Sequence, residues 1–139
     1  MKTYNKKYET DNITGVNHEG PDANVPVQRL TATSIIGDGV ENMQGENLGN
    51  IENLMVNLRT GQVEYAILEF GSFLGIGGKF FAVPFQEMSV DTIKKKFILN
   101  RDKEYLKNIP GFDKDHWPDT NDHNYFDEVN TYWDTTHPV

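Results

Sequence analysis

Three groups of residues in this chain have types and spacings that could do chemistry. The first is Gly71-Ser72-Phe73-Leu74-Gly75-Ile76-Gly77-Gly78-Lys79, where glycines precede a lysine. Glycine backbones can approach an anion closely and an ammonium can neutralise it, so the stretch resembles a phosphate cradle. A nucleotide-binding loop, however, needs G-x-x-x-x-G-K-[ST] between a strand and a helix. Here Lys79 runs into Phe80 and a strand pattern, so a wide turn with glycines at positive φ is the better reading. Within the same loop Phe73, Leu74 and Ile76 stand among glycines. They either form an exposed apolar patch for protein contact or fold back to plug the core.

The second group is in the last quarter of the chain. His116, His123 and His137, among Asp113, Asp115, Asp119, Asp122 and Asp127, offer nitrogen and oxygen donors to a divalent metal. The alternative function is therefore a small-ligand or divalent-metal-binding protein that uses this His/Asp-rich extension, with His116, His123, Asp119 and Asp122 as the candidate metal ligands. Neither D-x-[DN]-x-[DN]-G nor H-E-x-x-H occurs, and solvated charge is the commoner use of an acidic tail. The third group is hydrolytic in type. Ser34, Ser72 and Ser89 are the only serines and none stands in G-x-S-x-G. Glu64 and Glu69 sit at opposite parity on one strand and should point to different faces. No nucleophile, base and oxyanion donor converge, so a non-catalytic protein without a cofactor is expected.

The elements that must position these residues follow from the hydrophobic pattern. Residues 1–26 show neither helical nor strand periodicity and read as a flexible arm, ending where Val25-Pro26-Val27 begins an extended segment. Leu30–Gly37 suits one helical turn capped by Thr31 or Thr33. Strands are expected at Val40–Asn42, Leu48–Val56 and Val63–Phe70, with turns containing Gly45 and Gly61. Further strands are expected at Phe80–Phe85 and in a last hairpin from Met88 to Leu99. Val63–Phe70 is apolar on both faces and should be central, and Pro84 should lie at an edge, a bulge or a strand end. Asp102 caps a short helix over 103–108 that docks by Leu106 and Ile109. Asn124–Trp133 has the spacing of a second, amphipathic helix. Phe112 and Trp117 are expected to pin the tail to the sheet. Five or six short strands with little helix make the fold all-β, a small barrel or sandwich over 27–100 with an acidic, aromatic extension over 101–139.

Composition narrows the partners. The 139 residues suit one core, and the net charge of −8 is uneven. From residue 110 onward Lys114 alone stands against seven acids, a net of −6. Such a surface repels phosphate backbones and anionic lipid heads, so neither nucleic acid nor membrane is an expected partner. The one basic run, Lys94-Lys95-Lys96, falls at a hairpin tip and reads as a solvated turn. There is no cysteine, no signal-peptide pattern and no apolar run of membrane-spanning length, which together suit a cytoplasmic protein.

Four stretches resemble the PRC-barrel domains, which include the H subunit of the photosynthetic reaction centre and the C-terminal domain of a ribosome-maturation factor. They are Leu48-Gly49-Asn50-Ile51-Glu52, Arg59-Thr60-Gly61-Gln62-Val63-Glu64-Tyr65-Ala66, Phe73–Lys79 running into Phe81–Phe85, and Leu106–Pro118. The last is similar to the ending of stand-alone bacterial members. The resemblance spans about Val27 to Pro118. It implies a small β-barrel used for protein contacts and carries over no catalytic residue. An unidentified protein partner is expected. A homodimer is also expected, because an open barrel leaves strand edges that a second copy can cover.

Overall fold

The computed structural model describes residues 28–70, 79–91, 94–113, 117–118 and 123–136, together with Val16. Thr31 stands at the N-cap position of a single turn, α1 (Ala32–Ile35), without a side-chain capping bond, and the Ser34 hydroxyl donates back to the Thr31 carbonyl at 2.9 Å. Gly37, with φ +97°, stops the turn in a left-handed conformation. β1 (Gly39–Glu41) then leads into a turn built on Asn42, among the described residues the one polar side chain buried in the core. Its Oδ1 accepts from the Gln44 and Glu46 amides at 3.1 and 2.9 Å, and its Nδ2 donates to Glu46 Oε1 at 2.8 Å. Every polar atom of that side chain is therefore paired, which offsets its burial.

β2 (Asn47–Asn57) and β3 (Gln62–Phe70) form the long central hairpin, and β4 (Lys79–Pro84) pairs with the inner part of β3. Pro84 is the last residue of its strand, as its missing N–H requires. A 3-10 turn at Phe85–Glu87 turns the chain into β5 (Met88–Asp91), which pairs antiparallel with β6 (Lys96–Leu99). Asp102 Oδ1 accepts from the Tyr105 amide at 2.8 Å and caps α2 (Lys103–Leu106), which stops two residues short of the 103–108 that its sequence pattern suggested. β7 (Gly111–Asp113) and α3 (His123–Thr136) complete the described elements.

The strands form one sheet in the order β5-β6-β1-β2-β3-β4-β7. All neighbours are antiparallel except β1 and β6, which run parallel. The sheet is barrel-like without closing: β5 and β7 stand at its two edges. Its coiling has a local cause. Register slips between Ile51 and Asn53 on β2, and between Met55 and Val56, leave Glu52 and Glu64 as extra residues on their strands. Bulges of this kind increase the right-handed twist and bend the strand. Gly49 makes the crossing of β1, β2 and β3 possible: its φ is +139°, and a Cβ there would lie 2.1 Å from the Glu69 carbonyl oxygen.

Tyr65, Ala66, Ile67 and Leu68 are all buried, so β3 is covered on both faces as its apolar run implied. On one face Tyr65 stacks on Phe126 of α3 with ring centroids 5.0 Å apart. Val40, Leu48, Ile51, Val83, Leu99 and Leu106 complete the centre of the core.

Candidate functional site

Phe73, Leu74 and Ile76, the expected contact residues, lie outside the described residues, as do His116, Asp119, Asp122 and His137. His123 begins α3, but its side chain is also outside the described set. Among the described residues no group of three His, Asp or Glu side chains is placed to hold a metal. Lys79, the end of the glycine loop, is bound across the sheet to Asp113 at 2.8 Å. Two of the three consecutive lysines are likewise occupied. Lys96 pairs with Glu41, while Lys95 donates to the Ser34 carbonyl at 3.1 Å and lies 3.9 Å from Asp38. Burial pushes the Asp38 carboxyl above its ordinary range, with Lys95 opposing the shift. The lysine run therefore ties the β5–β6 hairpin to α1 and β1.

The structure places apolar exposure elsewhere, at the outer end of the β2–β3 hairpin. Leu58 is 93% exposed and Val56 50%. Val56 lies opposite Val63 across the hairpin, so a short apolar strip runs to the tip. The turn beneath it is held firmly. Asn57 Oδ1 accepts from the amides of Arg59 (2.9 Å) and Thr60 (3.3 Å), and its Nδ2 donates to Glu64 Oε2 at 3.0 Å. Gly61, with φ +75°, donates its amide to the Asn57 carbonyl at 2.8 Å. Side-chain hydrogen bonds of this type fix a turn locally, so Leu58 and Arg59 are presented on a pre-formed support.

The second feature is the outer face of α3. Val129 and Trp133 bury its inner face, and three tyrosine hydroxyls fix its position. Tyr65 donates to Asn130 Oδ1 at 2.7 Å, Tyr132 donates to the Tyr105 carbonyl, and Tyr125 donates to the Pro110 carbonyl at 3.1 Å. Tyr125 also accepts from the Ala82 amide at 3.2 Å, and burial pushes its phenol up to about 12. Arg101, paired with Glu87 of the 3-10 turn at 3.1 Å, sits over the rings of Tyr105 and Trp133 and joins that turn to α2 and α3. The helix so fixed turns Asp127, Glu128 and Asp134 outward and carries no lysine or arginine. Pro110, Asn124, Asp127, Glu128, Thr131 and Tyr132 line an open groove of about 790 Å³ along it. A smaller, polar notch of about 280 Å³ opens between Gln62–Tyr65, Pro84, Gln86 and Asn130, where β4 ends and leaves β3 behind.

The family model of the PRC-barrel domain matches residues 28–106, more than half of the chain. The chain belongs to the PRC-barrel family. No curated protein matches it. Within this PRC-barrel domain the matched span holds α1, β1 to β6 and α2, and therefore the projecting hairpin. The strand β7 and the helix α3 lie beyond it, although β7 pairs with β4 and completes the sheet. The aromatic cluster of Phe80, Phe112 and Trp117, with centroids 5.0 to 6.0 Å apart, pins that added segment to the PRC-barrel sheet. Among the described residues no helix is long and apolar enough to cross a membrane.

Sequence reasoning did not single out Leu58. Its turn was legible from Asn57 and Gly61, but a leucine beside an arginine in a turn carries no periodic signal. Only the length of β2 and β3 beyond their neighbours in the sheet reveals that the turn projects. The α3 groove was equally hidden, because it needs the Pro110 turn brought beside the helix.

Proposed function

We propose that this PRC-barrel domain is a non-catalytic protein-interaction module and that the β2–β3 hairpin tip is its contact element. One observation carries the reading: a leucine almost wholly exposed on a turn tied down by side-chain hydrogen bonds. Solvated leucines on loose loops are common and need no explanation. A leucine on a pre-formed support differs, because little conformational freedom remains to be lost when a partner covers it. The neighbouring Val56 and Val63 extend the apolar strip, and Arg59 adds a side chain enriched at the energetic centres of interfaces. The sheet edges are less suitable contacts, since β5 has four residues and β7 three, too few for a firm added strand.

The test is affinity capture from lysate of the native cell, with the intact chain and a Val56→Ser/Leu58→Ser variant as parallel baits. Proteins enriched on the intact bait and lost on a variant with an unchanged melting curve are the expected outcome. Equal enrichment on both baits would remove the tip from consideration.

A further inference from the structure

We propose that the partner of the hairpin tip is a second copy of this chain, whose α3 groove receives Leu58 and Arg59. This rests on the interaction-module reading above and adds the identity of the partner.

The two surfaces are complementary in charge, and each offers apolar contact. The tip is a narrow projection bearing one apolar side chain followed by one cation, and among the described residues the Arg59 guanidinium has no ion-pair partner. The groove is open and large enough for several side chains. Pro110, Thr131 and Tyr132 supply its apolar contact, while Asp127 and Glu128 supply its charge and take no part in the ion pairs among the described residues. Leu58 over Pro110 and Tyr132 would place Arg59 within reach of both carboxylates. Tyr125 and Tyr132 hold the groove in shape through their bonds to the Pro110 and Tyr105 carbonyls. Both halves of the contact are therefore formed before association.

Charge also explains why such a contact needs a local cation. At a net charge of −8 two copies repel at long range. At about 0.15 M ionic strength the Debye length is about 8 Å, so that repulsion is screened while close pairs between Arg59 and Asp127 or Glu128 persist. Exchange in both directions closes a dimer, and exchange in one direction builds a chain.

Sedimentation velocity of the full chain at this ionic strength, across the micromolar to submillimolar range, tests the proposal with two variants. Leu58→Ser/Arg59→Ser removes the tip and keeps the groove, and Asp127→Asn/Glu128→Gln does the reverse. The mass of the intact protein should rise with concentration, and each variant alone should self-associate about tenfold or more weakly, as expected for a buried leucine or arginine at an interface centre. An equal mixture of the two should recover two-chain species, since one retains a working groove and the other a working tip. That recovery also shows that both variants fold. A protein that stays monomeric throughout, or a mixture no more associated than either variant alone, would overturn the proposal. If the intact chain stays monomeric but still captures a foreign protein that the tip variant loses, only self-recognition fails and the interaction-module reading stands.

Discussion

At residue scale, two glycines separate lack of space from backbone strain. Gly49 and Gly61 both have positive φ, but a Cβ on Gly49 would overlap the Glu69 carbonyl and the Phe70 backbone, whereas Gly61 faces open space. Gly49→Ala should lower unfolding free energy by ~3 kcal/mol or more, because a backbone strained by ~1–3 kcal/mol is joined by a clash that only strand separation relieves. Gly61→Asn should cost under about 1 kcal/mol, since asparagine tolerates the left-handed region. Urea denaturation of both variants checks the contrast. Tyr125 gives a pH dependence of definite sign. Its phenol titrates near its ordinary value of 10 in the unfolded chain and at about 12 in the fold. Between those values the unfolded state loses its proton first, so stability falls as pH rises through that window, by roughly 3 kcal/mol. Burial shifts Tyr65 and Tyr132 in the same direction. Tyrosinate absorbance followed alongside circular dichroism should show these phenols ionising together with unfolding. Ionisation near pH 10 with the fold intact would contradict this.

At the scale of elements, the hairpins, the Asp102 cap and the central place of β3 were legible in the sequence because each has a local cause. Glycines fix the turns, a carboxylate fixes the cap, and an apolar run fixes burial on both faces. The parallel contact of β1 with β6 was not legible, since it joins residues far apart in the chain and leaves no periodic trace. β7 was missed because three residues beginning with Gly111 have no strand pattern. A Cβ on Gly111 would fall 2.6 Å from the Phe81 ring, so its lack of a side chain is what lets β7 approach β4. Arg101 is the joint between elements. With side-chain exposures of 15% and 14%, Arg101 and Glu87 form a mostly buried pair, and Glu87→Ala would leave the guanidinium without its carboxylate. A loss of about 3 kcal/mol is expected, at the lower end for a broken buried pair. Chemical denaturation measures it directly. By contrast, Leu58→Ser should change stability by less than about 0.5 kcal/mol, because the side chain touches almost nothing in the folded chain.

At the scale of the whole molecule, acidity and exposed apolar surface have separate positions. The acids gather from residue 110 onward and on the outer face of α3, while the strongest apolar exposure is at the end of a hairpin inside the matched PRC-barrel span. The core holds both in place without deciding their use, because function belongs to sites rather than folds. Contact through the tip is the central claim. The most direct measurement places a photo-crosslinking benzophenone side chain at position 58 of the full chain in its native cell, with position 104 on α2 as an exposed control. A discrete protein adduct at position 58, absent at 104 and displaced by excess unlabelled protein, is the expected result. Diffuse labelling that is the same at both positions would contradict the claim.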